Sequence, residues 1–152
     1  MKKLAQLIEK LEAHIPDKNV KNHAVSKSSV GWQIDHVLIV INGIISQLKK
    51  SDPKEYKSEF NLKRWIVFTT NYIPRGKAKA PKLVNPETEA TTEELAEKIA
   101  LARINLTEFD VLHKNNYFRH PYFNDLNLRQ TKKFLTIHTE HHLKIIQDLV
   151  QP

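Results

Sequence analysis

The chain has 152 residues, which is a length typical of one domain with its own core. Hydrophobic residues make up 40% of it and charged residues 27%, so a collagenous or low-complexity chain is excluded. The absence of cysteine excludes disulfides and a thiol nucleophile from the chain itself and suits a cytoplasmic protein. No apolar run is long enough to cross a membrane, so we expect no membrane partner. The net charge of +7 fits either an ordinary basic surface or an anionic or nucleic-acid partner.

Apolar residues recur at helical spacing in the first third of the chain. They predict one helix over residues 2–14 and a second over residues 30–49, with Ser28 or Ser29 as the N-cap of the second. The second helix is apolar on most sides, which is typical of a helix at the centre of a fold, and His36 lies midway along one apolar face. The exceptions form a narrow polar wedge of three residues: Asp35, Asn42 and Ser46.

The middle of the chain predicts a shorter helix followed by a long loop. Residues 61–72 are predicted as helix rather than strand, because no neighbouring strand candidate is available to pair with them. Residues 73–90 contain three prolines and predict a loop, and loops of this length are often functional. The basic run at 75–82 is either a solvated surface or a cover over an anionic ligand. Because that run has no interleaved aromatic residues, we do not favour nucleic acid as its partner.

A fourth helix is predicted over residues 93–113. Thr91 and Glu94 have the spacing of a capping box at its start. An aromatic-rich connection, residues 115–123, follows it. Together with the last helix, this pattern predicts an all-α fold, a four-helix bundle with one shorter additional helix, formed as a single domain by residues 1–152.

The last predicted helix, residues 127–150, carries two histidines on its apolar face. Asn127 and Gln130 have the spacing of a capping box at its start. His138 and His142 lie one turn apart in the apolar stripe, where a buried ring nitrogen needs a bonding partner. Their spacing lets both rings reach one metal ion, but the glutamate of a His-Glu-x-x-His protease motif is missing.

A third histidine from another helix would complete a metal site. His36 is the candidate, because metal sites in helical bundles are built from side chains on facing helices. The alternative is three histidines that are hydrogen-bonded separately. His113 and His120 are reserve ligands, although a structural hydrogen bond is the favoured role of each. His141, at the edge of the stripe, either supports a ligand or is solvated, and we favour the second; no general acid or base stands out.

Two motifs of the chain resemble the DinB/YfiT-like superfamily of metal-dependent enzymes. That superfamily has a serine or threonine cap followed seven residues later by a histidine, as at Ser29 and His36. Near its end it has His-x-x-x-His, as at His138 and His142. The resemblance extends roughly over residues 25–149.

One branch of that superfamily, known only as a domain of unknown function, has a closer pattern. It shows His-Pro-x-Phe-Gly-x-Leu and then His-x-x-His-His-Leu, which resemble residues 120–126 and 138–143. Asn124 stands where that pattern has glycine, and asparagine can adopt the same left-handed backbone. Trp32 lies one turn inside the second helix, whereas the superfamily's tryptophan lies next to the cap.

The resemblance implies a four-helix bundle in which His36, His138 and His142 hold a divalent metal ion, with zinc, nickel and iron as candidates. Relatives include thiol transferases with bacillithiol-type cosubstrates and a mycothiol-dependent maleylpyruvate isomerase. We therefore expect a bacterial metal-dependent transferase or hydrolase that acts on a small molecule, with a low-molecular-weight thiol as candidate cosubstrate, and a homodimer by analogy. The alternatives are a non-catalytic stress-response or binding module and a nucleic-acid binder that uses the basic loop. The candidate pocket residues are Trp32, His120, Tyr122 and His141.

Overall fold

The computed structural model describes residues 1–76, 81 and 84–151, and within them the protein is mostly helical with a small two-stranded sheet. No helix in these residues is both long and apolar enough to span a membrane. A short 3-10 turn, Ile15–Asp17, follows the first helix. The elements in chain order are α1 (Lys2–Ala13), α2 (Val30–Lys50), α3 (Leu62–Thr70), α4 (Thr92–Phe109), β1 (Tyr117–His120), β2 (Asn124–Asn127) and α5 (Leu128–Val150).

Side-chain caps begin α2, α3, α4 and α5, because a side-chain oxygen can satisfy one of the free amides in a first helical turn. At α2 the cap is Ser29 rather than Ser28: its hydroxyl accepts a hydrogen bond from the backbone N–H of Trp32 at 3.0 Å. Both predicted capping boxes are present, Thr91 with Glu94 and Asn127 with Gln130.

The hydrophobic core is centred on α2, which packs against both α4 and α5, while α1 packs against the same two helices. Thirteen of the 21 residues of α2 are buried. Each fully buried Leu or Ile side chain contributes about 1.5–3 kcal/mol to folding, so this helix is a major source of stability. By contrast, α3 has no buried residue and contacts the core through the partly buried Val67 and Phe68. The prediction of a helix rather than a strand at α3 is confirmed.

Two residues of the polar wedge of α2, Asp35 and Asn42, contact α4. Asp35, only 3% exposed, accepts a hydrogen bond from Lys98 at 2.5 Å. Asn42 donates to the backbone carbonyl of Lys98 at 3.1 Å and accepts from Asn105 at 2.9 Å. The side-chain oxygen of Asn105 in turn accepts a hydrogen bond from Lys49 at 2.8 Å. We call this set of contacts the α2–α4 network.

A β-hairpin occupies the aromatic-rich connection, so the expectation of an all-α fold is wrong at this point. Strands β1 and β2 pair antiparallel over four residues each. Arg119 donates to Asp125 across the pair at 2.9 Å, and the Phe118 and Phe134 ring centroids are 6.0 Å apart where the hairpin packs on α5. Strands this short give almost no alternating pattern in a sequence. Asn124 has a φ of 60°, the left-handed backbone expected for the residue that replaces glycine.

Helix α4 ends at Phe109, four residues before its predicted end at His113. The reason is a tertiary contact of the following turn. The side chain of the buried Asn116 accepts from the backbone N–H of His113 at 2.8 Å and donates to the carbonyl of Leu48 at 3.0 Å. These bonds hold the turn against the end of α2, which a continued helix could not reach.

Candidate metal centre

Three histidine side chains meet between α2 and α5. One nitrogen of each of His36, His138 and His142 lies within 4.8 Å of the other two. The Nε2 atoms of His36 and His138 are 3.3 Å apart. The ring centroid of His142 is 4.7 Å from that of His36 and 4.6 Å from that of His138. The side chains therefore converge on one point, from one histidine on α2 and two on adjacent turns of α5.

Trp32 fixes the orientation of the His36 ring. The two rings stack with their centroids 5.2 Å apart and their planes 6° apart. The indole Nε1–H in turn donates to the carbonyl of Pro86 at 3.3 Å. The indole of Trp32 is thus fixed by this hydrogen bond and by its stacking on His36. A fixed ring on one face of the His36 imidazole restricts rotation of that imidazole.

Hydrogen bonds assign the tautomers of two of the histidines. A backbone carbonyl can only accept, so His36 donates from Nδ1 to the carbonyl of Val84 at 2.7 Å and keeps a lone pair on Nε2. His142 donates from Nδ1 to the Gln33 Oε1 atom at 2.6 Å. The amide of Gln33 is itself oriented, because its Nε2 donates to the Ser26 hydroxyl at 3.3 Å. This arrangement is the one that supports metal-ligating histidines.

The third histidine has an unsatisfied nitrogen. The Nδ1 of His138 is buried and has no hydrogen-bond partner among the residues that the structure describes. Leaving a buried polar atom unpaired costs about 1–3 kcal/mol. Burial lowers the pKa of His36, and it lowers the pKa of His138 and of His142 well below the usual range. The cluster is therefore neutral at pH 7, with lone pairs available to a cation.

Residues 84–90, which we call the strap, lie against the first turns of α2 and are held there by hydrogen bonds. Besides the two carbonyl contacts to His36 and Trp32, the hydroxyl of Ser29 donates to Glu89 at 2.6 Å. A lysine that precedes α2, Lys18, donates to the carbonyl of Ala90 at 3.2 Å. The strap therefore holds one ligand candidate directly and that residue's stacking partner as well.

One comparison with known proteins gives a match. The sequence model of the DinB superfamily matches residues 3–146, which is nearly the whole chain. The chain belongs to the DinB superfamily. Neither a curated protein nor a solved structure matches it. Membership of the DinB superfamily and the cluster of three histidines are both compatible with metal binding.

In this DinB superfamily member, the two reserve ligands, His113 and His120, lie outside the cluster. His120 stacks on Phe123 with ring centroids 4.3 Å apart, and its Nδ1 accepts from the backbone N–H of Tyr122 at 3.1 Å. Burial lowers the pKa of His120 to about 4. His113 is exposed and accepts from the backbone N–H of Asn115 at 3.2 Å. Both side chains thus make the structural hydrogen bonds that were the favoured alternative for them.

The remaining candidate pocket residues differ in how closely they contact the cluster. Trp32 contacts it directly, whereas Tyr122 is 42% exposed on the hairpin. His141 is half-buried rather than solvated, with its ring centroid 5.1 Å from that of His142, and burial lowers its pKa. In the basic run, Arg75 pairs with Asp148 at 2.7 Å. Residues 77–80 and 82 of that run lie outside the described residues.

Sequence reasoning missed two groups that orient the cluster. Gln33 is 3% exposed and lies three residues before His36, so a polar residue on the mostly apolar surface of α2 was the available signal. Val84 acts through its backbone carbonyl, and a carbonyl leaves no trace in residue identity. The nearby carboxylates do not join the cluster: Glu140 pairs with Lys3 at 2.7 Å, and Asp35 belongs to the α2–α4 network.

Proposed function

We propose that this protein binds one divalent transition-metal ion through His36, His138 and His142. The observation that carries the proposal is the pair of fixed tautomers: His36 and His142 each donate from Nδ1, which leaves the lone pair of each ring on Nε2. The Nε2 atom of His138 supports it, because this atom lies 3.3 Å from the Nε2 atom of His36, so both nitrogens could bind one ion. Imidazole suits zinc, nickel and iron alike, so the ligand set does not select the metal.

The same residues support an enzymatic role as a metal-dependent transferase or hydrolase. Three protein ligands leave a coordination position open, which is typical of catalytic rather than structural sites. A divalent ion supplies one effect there, a lowered pKa of a bound water or thiol. The chain has no cysteine, so a thiol would come from a small cosubstrate. Trp32 and the strap would cover one side of the site and exclude bulk water from it.

We place this site in a four-helix bundle formed by α1, α2, α4 and α5, as one domain that pairs as a homodimer by analogy with its superfamily. The competing function is a non-catalytic binding module that keeps the bundle and the metal. One observation favours it: the carboxylates that neighbour the candidate ligands in sequence are engaged in ion pairs, Glu140 with Lys3 and Asp35 with Lys98. Metal-dependent consumption of a thiol or ester substrate would separate the two functions.

Elemental analysis of the purified protein tests the metal site. We expect about one equivalent of zinc, nickel or iron per chain in the wild type and almost none in His138→Ala. His113→Ala is the matched control, because it removes an exposed histidine outside the cluster, and it should keep the metal. A wild-type protein that takes up none of these ions would refute the proposal. Equal metal in His138→Ala would show that the ligands are different.

A further inference from the structure

The outer face of α5 forms the floor of a cavity of about 330 Å³. Residues from α5 line it at helical spacing, so they make one continuous stripe. The remaining lining comes from the start of α1 and from Asn71, the C-cap of α3. We call this cavity and its extension the α5 groove. Its lining residues on α5 are Arg129, Lys132, Lys133, Thr136, Ile137 and Glu140.

The α5 groove carries more positive than negative charge. Lys3 pairs with Glu140, the one acidic residue of the lining, at 2.7 Å. Arg129, Lys132 and Lys133 have no carboxylate partner within the described part of the chain, so three positive charges are left unbalanced. Such a concentration of like charge destabilises a fold unless a counter-ion reduces it.

The terminal amine adds to this excess. The contact with Lys132 is the main cause that lowers the pKa of the Met1 amine, because two neighbouring ammonium groups disfavour each other's charge. The carboxylate of Asp110 is 4.0 Å from the same amine and only partly compensates. An anion in the groove would stabilise both cations.

A second cavity of about 60 Å³ extends the groove along the same helix. The two cavities share Asn71, Ile137 and Glu140 in their linings, so they are adjacent. The extension adds Lys144 and His141 to the lining. At about 1.5 Å of rise per residue, the distance along the helix from residue 129 to residue 144 is about 22 Å. The groove is therefore long enough for a ligand with several charged groups.

We propose that the α5 groove binds a small polyanion, a molecule that carries at least two phosphate or carboxylate groups. The guanidinium of Arg129 can bind either group in a bidentate manner, and Lys132 and Lys133 supply additional point charges. The basic stripe is separate from the histidine cluster, which the groove approaches at His141 of its extension, whose ring centroid is 5.1 Å from that of His142. At 100° per residue, His138 and His142 lie on the opposite face of α5 from the stripe of groove residues.

Calorimetric titration with inorganic triphosphate and with citrate tests the proposal. The full-length protein is treated with chelator and titrated at low ionic strength, so that triphosphate cannot act through a metal. We expect saturable binding near one equivalent, and a weakening of about a hundredfold in the double variant Arg129→Ala/Lys132→Ala, at about tenfold for each lost charge-assisted contact. The ratio of the two affinities distinguishes a phosphate ligand from a carboxylate ligand.

The matched control is Lys50→Ala/Lys54→Ala, which removes the same net charge from two exposed lysines outside the groove. This control should bind as tightly as the wild type, and circular dichroism should show that both double variants are folded. His138→Ala should also keep the affinity, so a failure of the metal proposal would leave this one standing.

Three results would overturn the proposal. The first is no saturable binding of either anion by the wild type. The second is an equal loss in the groove variant and in the Lys50/Lys54 control, since this would reduce the effect to net charge. The third is a single-stranded DNA oligonucleotide that binds more tightly than triphosphate and depends on the same two residues, because the ligand would then be a nucleic-acid backbone.

Discussion

Helix α2 takes part in two polar clusters, and they differ in whether every buried polar atom has a hydrogen-bond partner. Toward α4, the amide of Asn105 donates to Asn42 and accepts from Lys49, and Asp35 is bonded to Lys98. Toward α5, the histidine cluster leaves the Nδ1 of one ring without a partner among the described residues. The first cluster is complete without a ligand, and the second is not.

This difference separates a structural role from a functional one. Polar groups that satisfy each other between two helices favour one alignment of those helices over others. Polar groups that are buried, oriented and unsatisfied cost stability, and proteins retain them where a ligand completes them. The comparison predicts that the two clusters respond differently to mutation and to metal.

The largest effect should follow from breaking the α2–α4 network at its ion pair. Lys98→Met leaves the carboxylate of Asp35 buried without its partner, so we expect a loss of about 3 kcal/mol in the free energy of unfolding. Urea denaturation measures this loss. Metal content, measured on the same preparation, should not change, because neither residue belongs to the histidine cluster.

The double variant Asp35→Leu/Lys98→Met is the control for that measurement. It removes both charges and replaces them with apolar groups, so most of the lost stability should return. If the double variant were as unstable as Lys98→Met, the loss would come from packing and not from an unpaired charge. Reduced metal content in either variant would show that the two clusters are coupled.

A smaller effect is expected from removing the hydrogen bond that orients His142 in the histidine cluster. Gln33→Leu keeps a side chain of similar size but removes the acceptor of the His142 N–H, so metal affinity should fall tenfold to a hundredfold, or about 2 kcal/mol. Competition with a chromophoric chelator measures the affinity. Gln33→Glu retains an acceptor and should bind at least as well as the wild type. Unchanged affinity in Gln33→Leu would remove Gln33 from the site.

The smallest effect is expected at His120, which is outside both clusters, and it concerns the pH dependence of stability. Burial lowers its pKa from 6.5 to about 4 in the folded state, so the unfolded chain takes up a proton first as the pH falls below 6.5. Its contribution to stability is therefore complete above pH 6.5 and is lost as the pH falls toward 4.

His120→Phe should remove that contribution. Between pH 7 and pH 5.5 the variant should lose about 1 kcal/mol less stability than the wild type, as measured by urea denaturation at both pH values. Because His120 lies outside the cluster of three histidines, added metal should leave this difference unchanged. An identical pH dependence in the two proteins would mean that His120 is protonated normally in the folded state.

Much of the helical framework could be predicted, because caps and apolar stripes are local properties of the sequence. Ser29, Thr91 and Asn127 begin their helices as predicted. The convergence of His36 with the two histidines of α5 was expected from spacing and from the family resemblance, and the structure brings the three rings together. Their role as ligands is a proposal that the metal analysis tests.

The missed features depend on contacts between distant parts of the chain. The early end of α4 follows from Asn116 reaching the last turn of α2. The hairpin depends on the Arg119–Asp125 pair and on packing against α5, neither of which gives a periodic signal. The polar wedge of α2 was visible in the sequence, but its partner helix was not. Burial of Asp35 against Lys98 could be found only from the structure.

The strap over α2 is held mainly by its backbone. Val84, Pro86 and Ala90 each offer a carbonyl, and a carbonyl is present whatever the side chain is. A substitution that fits the space at these positions, which is small at the buried Ala90, would therefore keep the contacts. An insertion or deletion between residues 84 and 90 would instead move every carbonyl away from its donor. Away from the buried Ala90, this segment should accept variation in composition more readily than variation in length.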